Sequence, residues 1–158
     1  MVRRTQTKIS ALVVAVCCLA LSFTDGVGVS SGCGIPERLC YHFFHANIFH
    51  ALCNVWCLLS IVFTFSVPLW LFLAAFGIAI LIPPFLLSAT PTMGLSGVCF
   101  ALLGMMFWQV QRKVYYTSWA LAFIVVGFLF PQVNALMHLY CYVAGQMVGF
   151  LNAPVPWK

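Results

Sequence analysis

The chain has 158 residues, of which 64% are hydrophobic and 6% charged, and its mean hydropathy is +1.08. That leaves too few polar side chains to cover a water-soluble domain of this size. The net charge of +5 does not mark a nucleic-acid surface either, because Lys and Arg punctuate apolar runs instead of gathering into a patch.

Six apolar runs follow one another. The first, Ile9 to Thr24, stands behind a short basic head, residues 1–8, that carries Arg3, Arg4 and Lys8. It reads as a membrane span. A secretory signal peptide, with Gly28-Val29-Ser30 as its cleavage site, is the rival reading. The segment that follows holds Asp25, Cys33, Glu37, Arg38 and Cys40. Cys33 and Cys40 share this loop and could pair in an oxidising compartment, or stay free thiols; the sequence leaves both open. The other six cysteines lie in apolar runs, where cysteine acts as a small apolar side chain.

The second run, Ala46 to Phe65, and the third, Pro68 to Ser88, are nearly continuous, and Pro68 is the expected break. Ser96 to Val110, Ser118 to Phe130 and Leu136 to Leu151 follow, then a short tail, residues 152–158. Several runs fall short of the roughly 20 residues of a full crossing. Short spans imply a compact bundle, a thinned bilayer, or helices that stop inside a water-filled cavity. With the N-terminus in the cytoplasm, six crossings put Arg3, Arg4, Lys8, Arg112, Lys113 and Lys158 inside. Both acids and Arg38 then fall outside, which is the positive-inside pattern with one exception. The chain therefore reads as one all-α polytopic membrane domain over residues 1–158, with six transmembrane helices and both termini cytoplasmic.

Polar side chains inside such runs are costly and are candidates for function. His45, His50 and Asn54 lie at the second run, Ser96 opens the fourth, and His138 lies in the sixth. Ser96 sits among glycines, in Gly94-Leu95-Ser96-Gly97, which allow a tight turn and a close neighbour. A helix starting at Ser96 would aim its unpaired N–H groups at an oxyanion forming beside the hydroxyl. From His138, Cys141, Gly145 and Gly149 follow at three, seven and eleven residues, on one helix face about 80° wide. Gly97, Ala101 and Gly104 make a similar stripe after Ser96. Two small-residue faces let membrane helices approach almost backbone to backbone, and such contact would bring His138 to Ser96 as its base. His50 and Asn54, four apart, share a face and can aim two donors at one oxygen. His45, roughly 140° around a helix from His50, is expected to do something else.

The order His-x4-His-x3-Asn, then Gly-Leu-Ser-Gly, then His with small residues behind it resembles the rhomboid family of intramembrane serine proteases. The resemblance runs from about His45 to Phe150. It implies Ser96 as nucleophile, His138 as general base, and the Ser96 amide, His50 and Asn54 as an oxyanion hole. It gives His45 a supporting place and Phe100, one turn after the serine, a stacking place against the histidine. Cys141 stands where relatives usually have glycine, Phe100 where they often have tyrosine, and the first outer loop is shorter than in many of them. The expected partner is a transmembrane protein substrate in the lipid bilayer, entering between the second and fifth spans and unwinding near small residues. No nucleic acid, metal or cofactor is implied.

Other intramembrane protease chemistries lack their residues. A zinc enzyme needs His-Glu-x-x-His, and the only glutamate is Glu37; an aspartyl enzyme needs two aspartates, and the only one is Asp25. No carboxylate is placed to orient His138, so the expected machinery is a Ser–His dyad, with Asn134 as a possible orienter or a loop cap. Two rivals remain open: a catalytically silent rhomboid-like protein that binds or escorts membrane segments, and a small channel or carrier lined by histidines. The minimal chain, with no obvious transit peptide, points to a bacterial inner membrane. Oligomeric state is not readable.

Overall fold

The structure is a computed structural model that describes residues 2–130 and 133–152. Among these, α-helices run over Val2–Leu21 (α1), Ile35–Cys40 (α2), Ile48–Thr64 (α3), Leu69–Ile80 (α4), Ser96–Met106 (α5), Lys113–Gly127 (α6) and Ala135–Phe150 (α7). Short 3-10 turns cover Pro84–Leu86 and Phe107–Gln109. The described residues contain no strand beyond an isolated bridge between Val29 and Thr92. Of the tail at 152–158 only Asn152 is described; residues 153–158, with Lys158, lie outside the described residues, as do the side chains of Arg3 and Arg4.

The six longer helices answer to the six apolar runs, with shifted ends. Pro68 is the N-cap of α4, where the break was expected. That helix stops at Ile80, well short of Ser88, because Pro83 and Pro84 cannot continue it. α6 begins at Lys113, five residues ahead of the expected start, since a helix end follows backbone pairing and not hydropathy. No described helix is long and apolar enough to cross a membrane. α3, with 17 residues, rises about 25 Å against a hydrocarbon core of about 30 Å.

α5 lies at the centre, packed on α7, α4 and α3, while α1 packs on α3 and α4. Ala11, Ala15 and Cys18 bury one face of α1, so this helix is part of the core. α6 is peripheral and leans chiefly on α7 through Ala120 and Ile124. The outside of the bundle is as apolar as its inside: Phe49, Trp56, Trp70, Trp119 and Phe123 are all exposed. A helix in water shows one apolar stripe and one polar face; these show apolar side chains on both.

α3, α5 and α7 start at the same end of the bundle. Their opposite ends are tied by Gln109, whose amide exchanges two hydrogen bonds with the Ser66 backbone, and by the Trp108 indole N–H donating to the Gln146 carbonyl.

Candidate active site

The site is built from the first turns of α3, α5 and α7. Asn47 caps α3 by accepting from the His50 N–H at 2.9 Å, which fixes His50 on the first turn. Asn134 caps α7 in the same way through the Met137 N–H at 3.0 Å, and its amide donates to the Leu86 carbonyl. Asn134 is thus the loop cap and is not turned toward the His138 ring. α5 starts at Ser96 with no side-chain cap, so the first amides of this helix have no intrahelical acceptor and point out of its end.

Ser96 Oγ lies 2.8 Å from His138 Nε2. His138 is buried and Ser96 half-buried. The Phe100 ring stacks on the imidazole at 4.5 Å between centroids and 23° between planes. This contact is made because α5 and α7 touch through their small residues. A Cβ at Gly145 would run into the Ala101 carbonyl, one at Gly104 into the Tyr142 carbonyl, and one at Gly149 would sit 2.6 Å from Met105 Cα. Only glycine permits that approach. Cys141 is fully buried on the same face, with Sγ 3.5 Å from where a Gly97 Cβ would stand.

His50 and Asn54 converge on the turn before the serine. A Cβ at Gly94 would meet His50 Cε1 at 3.0 Å, His50 Nε2 at 3.2 Å and Asn54 Nδ2 at 3.5 Å. Gly94 also takes φ +122°, a left-handed conformation that side chains disfavour, so both roles demand glycine there. Asn54 donates from Nδ2 to the His50 carbonyl at 3.1 Å, which leaves the second proton of that amide for another acceptor.

His45 precedes α3, so the helical angle used to separate it from His50 does not apply. Burial, with His50 beside it, holds its pKa down at about 4, and the ring is neutral. Its Nδ1 is 3.3 Å from the Phe43 carbonyl, and its Nε2 accepts the Leu95 N–H at 3.3 Å. This neutral tautomer fastens the backbone immediately before Ser96.

A family model described as the Rhomboid domain matches residues 37–155, more than half of the chain. The chain belongs to the rhomboid family. No curated protein and no solved structure matches it. A rhomboid domain makes it an integral membrane protein, and the family generally comprises intramembrane serine proteases.

The bracing of this rhomboid domain is where sequence reasoning missed residues. α2 carries Arg38, whose guanidinium donates to the Ile82 carbonyl at 2.6 Å and the Ile80 carbonyl at 3.3 Å, a cation at the C-terminal end of α4. Tyr41, fully buried, donates its hydroxyl to the Ala79 carbonyl at 2.9 Å and accepts the Gly94 N–H on its own carbonyl at 3.0 Å. Val29 and Thr92 exchange two backbone bonds of 2.8 and 2.9 Å. The short outer loop thus holds the serine turn at Thr92 and Gly94 and the end of α4 at Ala79, Ile80 and Ile82. Extended Gly34, Pro36 in the first turn, Glu37 and then Arg38 are start and stop signals for a short helix; nothing local announces the reach of Tyr41. Cys33 and Cys40 stay separate thiols, the first half-buried against the core and the second exposed.

Proposed function

We propose that this rhomboid protein is an intramembrane serine protease that hydrolyses peptide bonds in or near transmembrane segments of other proteins. The observation that carries the reading is the 2.8 Å contact between Ser96 Oγ and His138 Nε2. His138, with its proton on Nδ1, takes the hydroxyl proton at Nε2 as Ser96 attacks the scissile carbonyl carbon. The oxyanion is met by the Ser96 amide, His50 and Asn54. Collapse expels the amine, which takes the proton back from His138, and leaves an acyl-serine. Water, deprotonated by the same histidine, then releases the acid and restores the hydroxyl. The chain would act with six helices in the bilayer, α1 retained, both termini cytoplasmic, in a bacterial inner membrane. The substrate helix would enter between α3 and α6.

A serine-directed fluorophosphonate tests this. Labelling of the purified chain that is lost in Ser96→Ala and in His138→Ala, together with loss of turnover of a transmembrane substrate, is the expected result. His50→Ala and Asn54→Ala should each keep labelling-competent folds while turnover falls about 10²–10³-fold, with kcat affected more than KM. An unlabelled but folded parent chain would favour the escort reading. Labelling that persists in Ser96→Ala would remove the nucleophile assignment.

A further inference from the structure

Among the described side chains, the cations Lys8, Arg112 and Lys113 lie at the end of the bundle opposite the serine, and the last two border an open groove. A cavity of about 910 Å³ lies along the start of α6, with Gln111, Arg112, Lys113, Tyr115, Ser118 and Trp119 among its walls. Arg112 is exposed at its mouth, and the Lys113 ammonium is steadied 5.0 Å from the Trp108 ring and 5.3 Å from the Phe107 ring. Behind the cations an aromatic ladder runs along the helix: Tyr115 to Trp119 at 6.3 Å, then Trp119 to Phe123 at 6.1 Å. All three rings are more than half exposed. The groove therefore has a cationic mouth and an apolar, aromatic wall.

We propose that this groove binds an anionic glycerophospholipid, with its phosphate between Arg112 and Lys113 and an acyl chain along Tyr115 and Trp119. Charge complementarity selects this occupant. The only carboxylate side chains in the sequence, Asp25 and Glu37, belong to the loop and to α2 at the serine end, where Arg38 of α2 is bonded to the end of α4. They offer no counter-ion here, and the first turn of α6 carries no acid. A second copy lying the same way in the bilayer would bring cations against cations. The apolar wall discriminates further, since a free phosphate would leave the exposed rings uncovered. The site is remote from Ser96 and does not rest on the protease reading.

Quenching of tryptophan fluorescence by lipids with brominated chains tests the proposal on the purified chain in neutral detergent. Two cations near an anionic headgroup predict about 30-fold tighter apparent binding of brominated phosphatidylglycerol than of equally brominated phosphatidylcholine. Arg112→Gln combined with Lys113→Gln should bring the two curves together, and Trp119→Phe should remove most of the phosphatidylglycerol-specific quenching. All three positions are exposed, and circular dichroism checks that the variants keep their helices. Coincident curves for the two lipids in the parent chain would overturn the site. So would an undiminished preference in the double variant, or displacement of the lipid by glycerol phosphate alone.

Discussion

His42 is fully buried, enclosed by Tyr41 at 3.9 Å and Phe76 at 5.5 Å between ring centroids, and neither ring nitrogen has a hydrogen-bond partner. Its neighbours on either side, Tyr41 and Phe43, are the residues that hold Gly94 and His45. Burial pushes its pKa from 6.5 down to about 4, with the nearby Arg38 carbonyl only partly offsetting this. The unfolded chain therefore takes up a proton below about pH 6.5 that the folded chain refuses until about pH 4. Stability is whole above that window and is lost as pH falls through it, by about 3 kcal/mol from this group. His42→Leu removes the titration and two unsatisfied nitrogens, so the variant should be no less stable than the parent at pH 7.5 by more than about 1 kcal/mol. Unfolding midpoints measured from pH 7.5 to 4 should fall less steeply in the variant than in the parent. Equal slopes would mean that His42 does not titrate as its burial requires.

At the scale of elements, the seam between α5 and α7 decides whether serine and histidine meet. Gly145→Ala should drive α7 away from the Ala101 carbonyl, destabilise the bundle by about 1–3 kcal/mol and lower fluorophosphonate labelling of Ser96. Gly77 in α4 is the control, because a Cβ there meets nothing within 4 Å. Gly77→Ala should be neutral or stabilising by up to about 1 kcal/mol and leave labelling unchanged. Equal behaviour of the two variants would show that backbone proximity does not set the seam. This seam was legible in the sequence because small residues at three, seven and eleven can share a face only on a helix. So was the separation of α3 from α4, which Pro68 imposes. The rest was not, for physical reasons. Hydropathy does not register a helix as short as α2, nor the point where backbone pairing ends inside an apolar run. The grip of Tyr41 on Ala79 and of His45 on Leu95 spans 38 and 50 residues, and no local pattern encodes such pairings.

For the whole molecule, helix length and charge give an expectation of where the site lies and which way the chain faces. α5 has 11 residues and rises about 17 Å, little more than half the hydrocarbon thickness. If α5 ends within the bilayer at its far side, a serine on its first turn should be reached by water from the end where α3, α5 and α7 begin. That end carries Asp25, Glu37 and one cation, Arg38; the other carries Lys8, Arg112 and Lys113. Positively charged loops stay in the cytoplasm, and acids contribute little to orientation. The serine end should accordingly face outward. A reporter fused after Gln111 should be cytoplasmic, and an epitope inserted at Gly32, where added atoms meet nothing, should be accessible from outside in intact cells. Substituting Arg112 and Lys113 with Gln should weaken this bias and give a mixed population, because two of the determinants nearest a crossing are gone. An epitope at Gly32 reached only after the membrane is opened would invert the bundle. It would also place Ser96 and His138 at the cytoplasmic face.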